Sequence, residues 1–170
     1  MEPGRRTAAE RLIVFVAEGF GAGRFPVAPG TVGTLVGFGW IYLLLLSGSG
    51  LIYCVGTIAG FFASVWFGWR AETILGRKDP GSIVIDEITA LPLAFSGALL
   101  VTGIVPFSQF LHGKRLLVLV VAFVGFRVFD VAKPWIIGRS QNLPGGWGLT
   151  VDDFLAALHV VPLTYLIALV

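Results

Sequence analysis

The chain has 170 residues, of which 56% are hydrophobic and 13% charged, and its formal net charge is +2. Its mean hydropathy of +0.88 lies well above the range of ordinary soluble domains. The small net charge, without a basic block interleaved with aromatic residues, excludes nucleic acid as an expected partner. These properties predict a single membrane domain over residues 1–170.

The N-terminal segment, residues 1–30, is expected to form an interfacial helix followed by a loop. An amphipathic helix is predicted from about Thr7 to Glu18, lying on the membrane surface. Its apolar stretch is short and contains Glu18, and no convincing small-residue cleavage site follows, so we do not expect a cleaved signal peptide. Residues 31–170 are expected to form a helical bundle.

Long uncharged stretches predict the membrane spans. Between Arg24 and Arg70 lie 45 consecutive uncharged residues, and between Glu87 and Lys114 another 26, whereas a spanning helix needs about 20. Five hydrophobic passages are predicted to cross the bilayer. They cover residues 31–46, 51–69, 88–105, 116–131 and 153–170. The predicted fold class is therefore all-α, a polytopic integral membrane helical bundle of about five spans.

Basic residues predict the orientation of these spans, because Lys and Arg collect on the cytoplasmic side of a membrane. With the N-terminus in the cytoplasm, ten basic residues fall on that side and two, Lys114 and Arg115, on the other. The ten are Arg5, Arg6, Arg11, Arg24, Arg70, Arg77, Lys78, Arg127, Lys133 and Arg139. The same orientation brings all the acidic clusters of the chain to the cytoplasmic face, where we expect the site.

Asp86 and Glu87 precede the third predicted passage. A single acid there would stabilise the positive end of the helix dipole by a few tenths to about 1 kcal/mol. Two adjacent carboxylates repel each other unless a cation or a proton intervenes. The pair therefore favours metal binding or catalysis over helix capping.

Arg127, Asp130 and Lys133 recur at intervals of three near the end of the fourth passage. One interpretation is an Arg–Asp pair that only neutralises itself. The other is a set of groups facing a wet cavity, since ionisable groups in a membrane helix are costly and usually functional.

Two acids, Asp152 and Asp153, open the fifth passage. Thr150 and Asp153 have the spacing of a capping box, with Asp in place of the usual Glu or Gln. This interpretation explains Asp153 as a cap and leaves Asp152 as the stronger candidate ligand.

Phosphate chemistry is indicated by the residues around these acids. The segment 29–34, Pro-Gly-Thr-Val-Gly-Thr, offers free backbone N–H groups and hydroxyls at a helix start. Oxygen ligands without nearby His or Cys suit Mg²⁺, and Arg127, Lys133 and Arg24 can hold phosphoryl oxygens. We therefore expect hard-cation chemistry on a phosphorylated lipid.

Four motifs occur in order along the chain. They are Gly19–Gly23 with Ala28–Thr34, Gly81–Glu87, Phe126–Trp135, and Gly145–Gly148 with Asp152–Asp153. Together they resemble the phosphatidylglycerophosphatase A family over about residues 19–158. The resemblance implies a bacterial inner-membrane phosphatase that removes the terminal phosphate of phosphatidylglycerophosphate with Mg²⁺, giving phosphatidylglycerol in phospholipid biosynthesis. This chain departs from the family at Thr89–Ala90 and over Ile137–Leu143.

We hypothesise the following roles for the candidate site residues. The expected ligands of one or two Mg²⁺ are Asp86, Glu87, Asp130, Asp152 and Asp153. The expected catalytic residues are Asp86, Glu87, Arg127, Asp130, Lys133 and Asp152. The expected substrate-binding residues are Arg24, Thr31, Thr34, Gly145 and Gly146.

Two alternatives stay open at the level of sequence. The phosphoryl group is attacked either by a metal-activated water or by an aspartate that forms an aspartyl phosphate. The acids also fit a small cation transporter or channel, because intramembrane charges mark ion pathways equally well. Against a transporter stand the gathering of the acids at one surface and the phosphate-suited basic and Gly-Thr elements. The sequence indicates no oligomeric state.

Overall fold

The computed structural model describes residues 6–170, so Arg5, counted above among the cytoplasmic basic residues, lies outside them. Within residues 6–170 the chain consists of helices, 3₁₀ turns and loops, and it forms no strand. The predicted all-α class is confirmed.

Seven α-helices follow one another along the described chain. They are α1 (Ala8–Ala17), α2 (Pro29–Leu45), α3 (Gly50–Leu75), α4 (Ile85–Thr102), α5 (Leu116–Ala132), α6 (Ile136–Ser140) and α7 (Gly146–Ala168). Short 3₁₀ turns occupy Gly19–Arg24, Phe107–Phe110 and Gly113–Arg115. Each predicted hydrophobic passage corresponds to one long helix, although α7 begins seven residues before the predicted start at 153.

Three of these helices, α3, α4 and α7, are long and apolar enough to cross a membrane. The other two long helices, α2 and α5, have 17 residues each. At 1.5 Å per residue they measure about 25 Å, less than the roughly 30 Å of a bilayer's hydrocarbon core. Length and composition therefore support three spans, and the count of about five spans stays a prediction.

The first helix, α1, has Thr7 as its N-cap, and Thr7 and Glu10 form a capping box. At its other end, the backbone N–H of Val84 donates to the carbonyl of Ala17 over 3.0 Å, which ties α1 to the start of α4. The position of α1 at a membrane surface stays a prediction.

Helix α4 lies at the centre of the bundle and contacts α2, α3, α5 and α7. Small residues permit the closest approaches, as is common between membrane helices. A Cβ atom on Gly37 of α2 would lie 3.0 Å from Leu91, and one on Gly97 of α4 would lie 2.0 Å from the carbonyl oxygen of Val161 in α7. These contacts fix α4 against both neighbours.

Hydrogen bonds between buried side chains and facing helices add to this packing. Tyr53 on α3 donates from its hydroxyl to the carbonyl of Pro92, and Thr164 on α7 donates to the carbonyl of Ala94, each over 2.8 Å. Groups of this kind need internal partners in a bilayer, where water is absent. The bonds fix the register of α3 and α7 on α4, and the first turn of α4 meets the second turn of α7 at one end.

Apolar stripes cover the outer surface. Val55, Ile58 and Phe62 on α3 are each more than half exposed and share one helix face. Soluble proteins rarely expose continuous apolar surface on this scale. Together with the composition, this surface identifies a membrane protein.

Replacing Gly97 by Ala should force α4 and α7 apart, because the new methyl group has no room beside Val161. We expect a loss of about 1–3 kcal/mol of stability, the usual cost of overpacking. Thermal unfolding in detergent micelles measures it. Gly39→Ala on α2 is the matched control, because a Cβ there meets nothing within 4 Å and Ala favours helix by up to about 1 kcal/mol. Equal stability of the two variants would contradict the packing role of Gly97.

Candidate active site

The charged residues of the predicted site converge at one end of the bundle. Helix α4 contributes Asp86 and Glu87 from its first turn, and α7 contributes Asp152 and Asp153 from its second turn. The end of α5 contributes the remaining three, which are Arg127, Asp130 and the C-cap residue Lys133. Residues separated by up to 67 positions in the chain thus share one site.

Three carboxylates form the core of the site. One oxygen each from Asp86, Glu87 and Asp153 lies within 4.8 Å of the other two. Asp86 and Asp153 are buried, with 6% and 3% of their surface exposed. Within the described part of the chain, Glu87 Oε2 and Asp153 Oδ2 are buried oxygens without a hydrogen-bond partner. Such orphaned acceptors normally have a partner, because burying a charge alone is costly.

Two cations border this cluster. Arg127 donates from Nη1 to Asp130 Oδ2 over 2.6 Å and lies 3.7 Å from Glu87 Oε1. Lys133 donates from Nζ to Asp152 Oδ2 over 2.5 Å and lies 3.8 Å from Asp130 Oδ1. Asp130 therefore lies between the two bases. The Arg127–Asp130 ion pair considered from the sequence is present in the structure.

Lys133 remains charged in this environment. Burial by itself would lower the pKa of the Lys133 amine, but the hydrogen bond to Asp152 and the neighbouring carboxylates raise that pKa overall. Its backbone adopts a left-handed conformation, with φ of 41°, just after the last turn of α5. The turn directs its side chain back to α7.

The charge balance of the site fits a divalent cation. Five carboxylates face two basic side chains, which leaves three negative charges uncompensated when every group is ionised. All the available ligand atoms in the cluster are oxygens, the ligands that Mg²⁺ prefers. At Mg–O distances of 2.0–2.1 Å, opposite ligands lie about 4 Å apart, so the cluster needs only small shifts to share one ion.

Gln141 is a site residue that sequence reasoning missed. Its Nε2 donates to Asp152 Oδ2 over 3.1 Å, so this oxygen accepts from both Gln141 and Lys133. The other oxygen, Asp152 Oδ1, is buried and has no partner among the described residues. Gln141 lies in the segment Ile137–Leu143, where the chain departs from the family's pattern, and that departure was the available signal.

The capping interpretation of Thr150 and Asp153 is wrong. Helix α7 begins at Gly146, so both residues lie inside the helix. The hydroxyl of Thr150 pairs with Ser64 of α3 over 2.9 Å instead of with the backbone of Asp153. Asp153 is therefore free to join the carboxylate cluster, which the capping interpretation had made less probable.

Among the expected substrate-binding residues, Thr31 is the one that shares a surface groove with Arg127. The hydroxyl of Thr34 is buried and donates to the carbonyl of Gly30 over 2.8 Å. The exposed side chain of Arg24 pairs with Glu18 over 2.7 Å.

The other two expected substrate-binding residues, Gly145 and Gly146, pack against α3. A Cβ on Gly146 would lie 2.0 Å from the carbonyl oxygen of Val65, and one on Gly145 would lie 3.0 Å from the Trp69 ring. Helix packing therefore accounts for both glycines, and their role with substrate stays a prediction.

Gly30 connects the start of α2 to the charged cluster. A Cβ at this position would lie 2.3 Å from Glu87 Oε1 and 3.1 Å from Arg127 Nη1. The backbone at the first turn of α2 therefore borders directly on the acid and base groups. A helix N-terminus placed there favours an anion.

The fold and the site define a helical membrane protein that carries a buried cluster of carboxylates flanked by Arg and Lys. The family described as Phosphatidylglycerophosphatase A matches residues 15–168, and the chain belongs to this family of phosphatases. The resemblance found in the motifs is thereby confirmed.

Curated relatives agree with this assignment. A Haemophilus influenzae protein named Phosphatidylglycerophosphatase A is 33% identical over 158 residues, covering 91% of this chain and 88% of the relative. An Escherichia coli protein of the same name is 30% identical over 153 residues, covering 89% and 81%. A Bacteroides thetaiotaomicron protein, named provisionally as a phosphatidylinositol-3-phosphatase, is 32% identical over 152 residues, covering 87% and 88%. No solved structure matches the chain.

Gly30→Ala should reduce phosphatase activity without unfolding the protein. The new methyl group displaces the ends of two side chains, Glu87 and Arg127, rather than backbone. A shift of about 1 Å in a positioned group can cost about 100-fold in rate, and we expect a loss approaching that size. Phosphate release and thermal unfolding are measured together, with Gly39→Ala as control. Full activity of Gly30→Ala would show that this close approach has no part in the site.

Proposed function

We propose that the protein hydrolyses phosphatidylglycerophosphate to phosphatidylglycerol and phosphate in an Mg²⁺-dependent reaction. The observation that carries this proposal is the cluster of Asp86, Glu87 and Asp153, in which Glu87 Oε2 and Asp153 Oδ2 have no partner and Glu87 Oε1 lies 3.7 Å from Arg127. Membership of the phosphatase family supports the reaction type, and the names of two relatives support the substrate.

In this proposal Asp86, Glu87 and Asp153 hold the metal, and Asp152 Oδ1 is available as a further ligand. When bound, Mg²⁺ would polarise the phosphoryl group and favour formation of a nucleophile from water. Asp130, predicted as a ligand, is assigned a different task, because both of its oxygens face basic side chains. It would hold Arg127 and Lys133 in place.

Arg127 and the start of α2 would bind the phosphoryl oxygens. The guanidinium has five N–H donors, and its hydrogen bond to Asp130 is made through Nη1. Donors therefore remain for a substrate phosphate, which planar Arg groups bind well. The backbone at Gly30 and the hydroxyl of Thr31 would complete the anion site, with Lys133 on the far side of Asp130.

Asp86, Asp152 and Asp153 each provide a carboxylate at the site, so both routes considered from the sequence fit this arrangement. Direct attack by water would place oxygen-18 from labelled water in the released phosphate without a covalent intermediate. An aspartyl-phosphate route would leave a phosphoryl group on the protein that rapid acid quenching can trap.

The proposed location is the cytoplasmic face of the bacterial inner membrane. The positive-inside pattern supports it, because ten of the twelve basic residues fall on the side of the acidic clusters in the predicted topology. A lipid could then keep its acyl chains in the bilayer while its phosphate reaches the site.

A phosphoinositide is the second candidate substrate, because the Bacteroides thetaiotaomicron relative is named for one. The transporter alternative lacks comparable support, since the three relatives described above are all named as phosphatases. The chemistry of the cluster suits either phosphomonoester, and headgroup selection decides between them.

Purified wild-type protein should release phosphate from phosphatidylglycerophosphate at least about tenfold faster than from phosphatidylinositol 3-phosphate or phosphatidic acid, a discrimination within reach of a few specific contacts. The three lipids are compared at equal mole fraction in mixed micelles. A preference for phosphatidylinositol 3-phosphate would establish the second candidate. Equal rates on all three would contradict a dedicated phosphatidylglycerophosphatase.

Asp153→Asn should abolish both Mg²⁺ binding and turnover, because it removes one charge from the three-carboxylate cluster. Chelation by EDTA should stop the wild type, and added Mg²⁺ should restore it. Isothermal titration with Mg²⁺ measures binding independently of activity. The matched control is Asp79→Asn, an exposed acid in the loop after α3. Activity that survives EDTA and the Asp153 substitution would refute the metal site.

A further inference from the structure

An open groove runs along the outer face of α5 and borders the site. Its volume is about 480 Å³, and its lining is predominantly apolar. The lining includes Thr31 of α2 and Phe123, Val124, Arg127, Val128 and Val131 of α5.

The polar part of the groove, at Arg127 and Thr31, is continuous with the charged cluster. Arg127 lines the groove, contacts Asp130 and lies 3.7 Å from Glu87. Thr31 follows Gly30, whose position directly borders Glu87 and Arg127. A molecule in the groove would therefore have its polar end at the proposed phosphate position.

The rest of the groove leads away from the site along the membrane-facing surface. From Arg127 back to Phe123 the helix rises about 6 Å at 1.5 Å per residue, and Val131 and Ala132 continue the lining for about one turn on the other side of Arg127. Val124 and Val128 lie four residues apart on one face and are half exposed. The groove thus joins an anion-binding side chain to an apolar strip that opens sideways, the combination that an amphiphile with an anionic head requires.

We propose that this groove binds one acyl chain of the lipid substrate and so positions the phosphoryl group at Arg127. The inference rests on the proposed function and adds to it the surface by which the lipid enters from the bilayer. Binding energy from this remote part of the substrate would orient the reacting group.

A second apolar groove, between α3 and the start of α7, is a less suitable place for this chain. It is lined by Phe62, Trp66, Trp69 and Trp147 together with Gly145 and Gly146. None of the acidic or basic residues of the site lines it. A chain bound there would have no direct connection to Arg127.

Val128→Trp tests the groove by filling it. Purified protein is assayed on phosphatidylglycerophosphate with two oleoyl chains and with two hexanoyl chains, and the ratio of the two kcat/KM values is compared with the wild-type ratio. Short chains occupy little of the groove, so the long-to-short ratio should fall about tenfold. Val124→Trp, one turn away, should lower the ratio in the same way. Agreement of the two variants would show that the effect does not arise from misfolding of one of them.

Val55→Trp is the matched control. Val55 is 56% exposed on α3, against 57% for Val128, and lies outside the groove. Its ratio should equal that of the wild type. Any of three results would overturn the groove assignment while leaving the proposed function intact. Both groove variants could keep the wild-type ratio, or they could lose activity equally on both lipids. The ratio of the control could also fall as much as theirs. A wild type inactive on both lipids would instead refute the proposed function, and the groove assignment with it.

Discussion

Close packing of α4 against α2 and α7 determines where the charged groups of this protein lie. Gly97 allows α4 and α7 to approach to a distance that no Cβ would permit, and Gly37 allows a close contact of α2 with Leu91. Thr164 adds a hydrogen bond across the α4–α7 contact. Because the register is fixed along the whole contact, the first turn of α4 meets the second turn of α7. Glycines well separated from the acids in sequence therefore position them.

This arrangement brings five carboxylates close together, and neighbouring basic residues compensate part of their negative charge. Arg127 and Lys133 compensate Asp130 and one oxygen of Asp152. The cluster of Asp86, Glu87 and Asp153 keeps buried oxygens that have no partner in the described chain. Such groups do not stabilise a membrane protein, because charges within the bilayer are costly. Their arrangement is understandable if a cation and a phosphate complete it.

Much of this site could be predicted from the sequence, and the errors have identifiable physical causes. The motifs around Asp86, Arg127 and Asp152 identified the family and most of the charged residues, since residue type and spacing are visible in the chain. Thr150 was misjudged because local spacing alone suggested a cap, whereas its hydroxyl pairs with Ser64 on another helix. Gln141 was missed because its contact with Asp152 depends on how α6 and α7 pack, and the available sequence signal was the departure from the family's pattern around it.

The sequence by itself determined that this is a helical membrane protein, that it belongs to a phosphatase family, and which residues carry charge. Composition and motif order are properties of the chain, so they need no coordinates. Only the tertiary structure decided that Asp153 joins Asp86 and Glu87, that Asp130 lies between two bases, and that Arg127 lines an apolar groove. Those relations depend on distances between helices. Close packing across the bundle sets these distances, whereas spacing along the sequence does not.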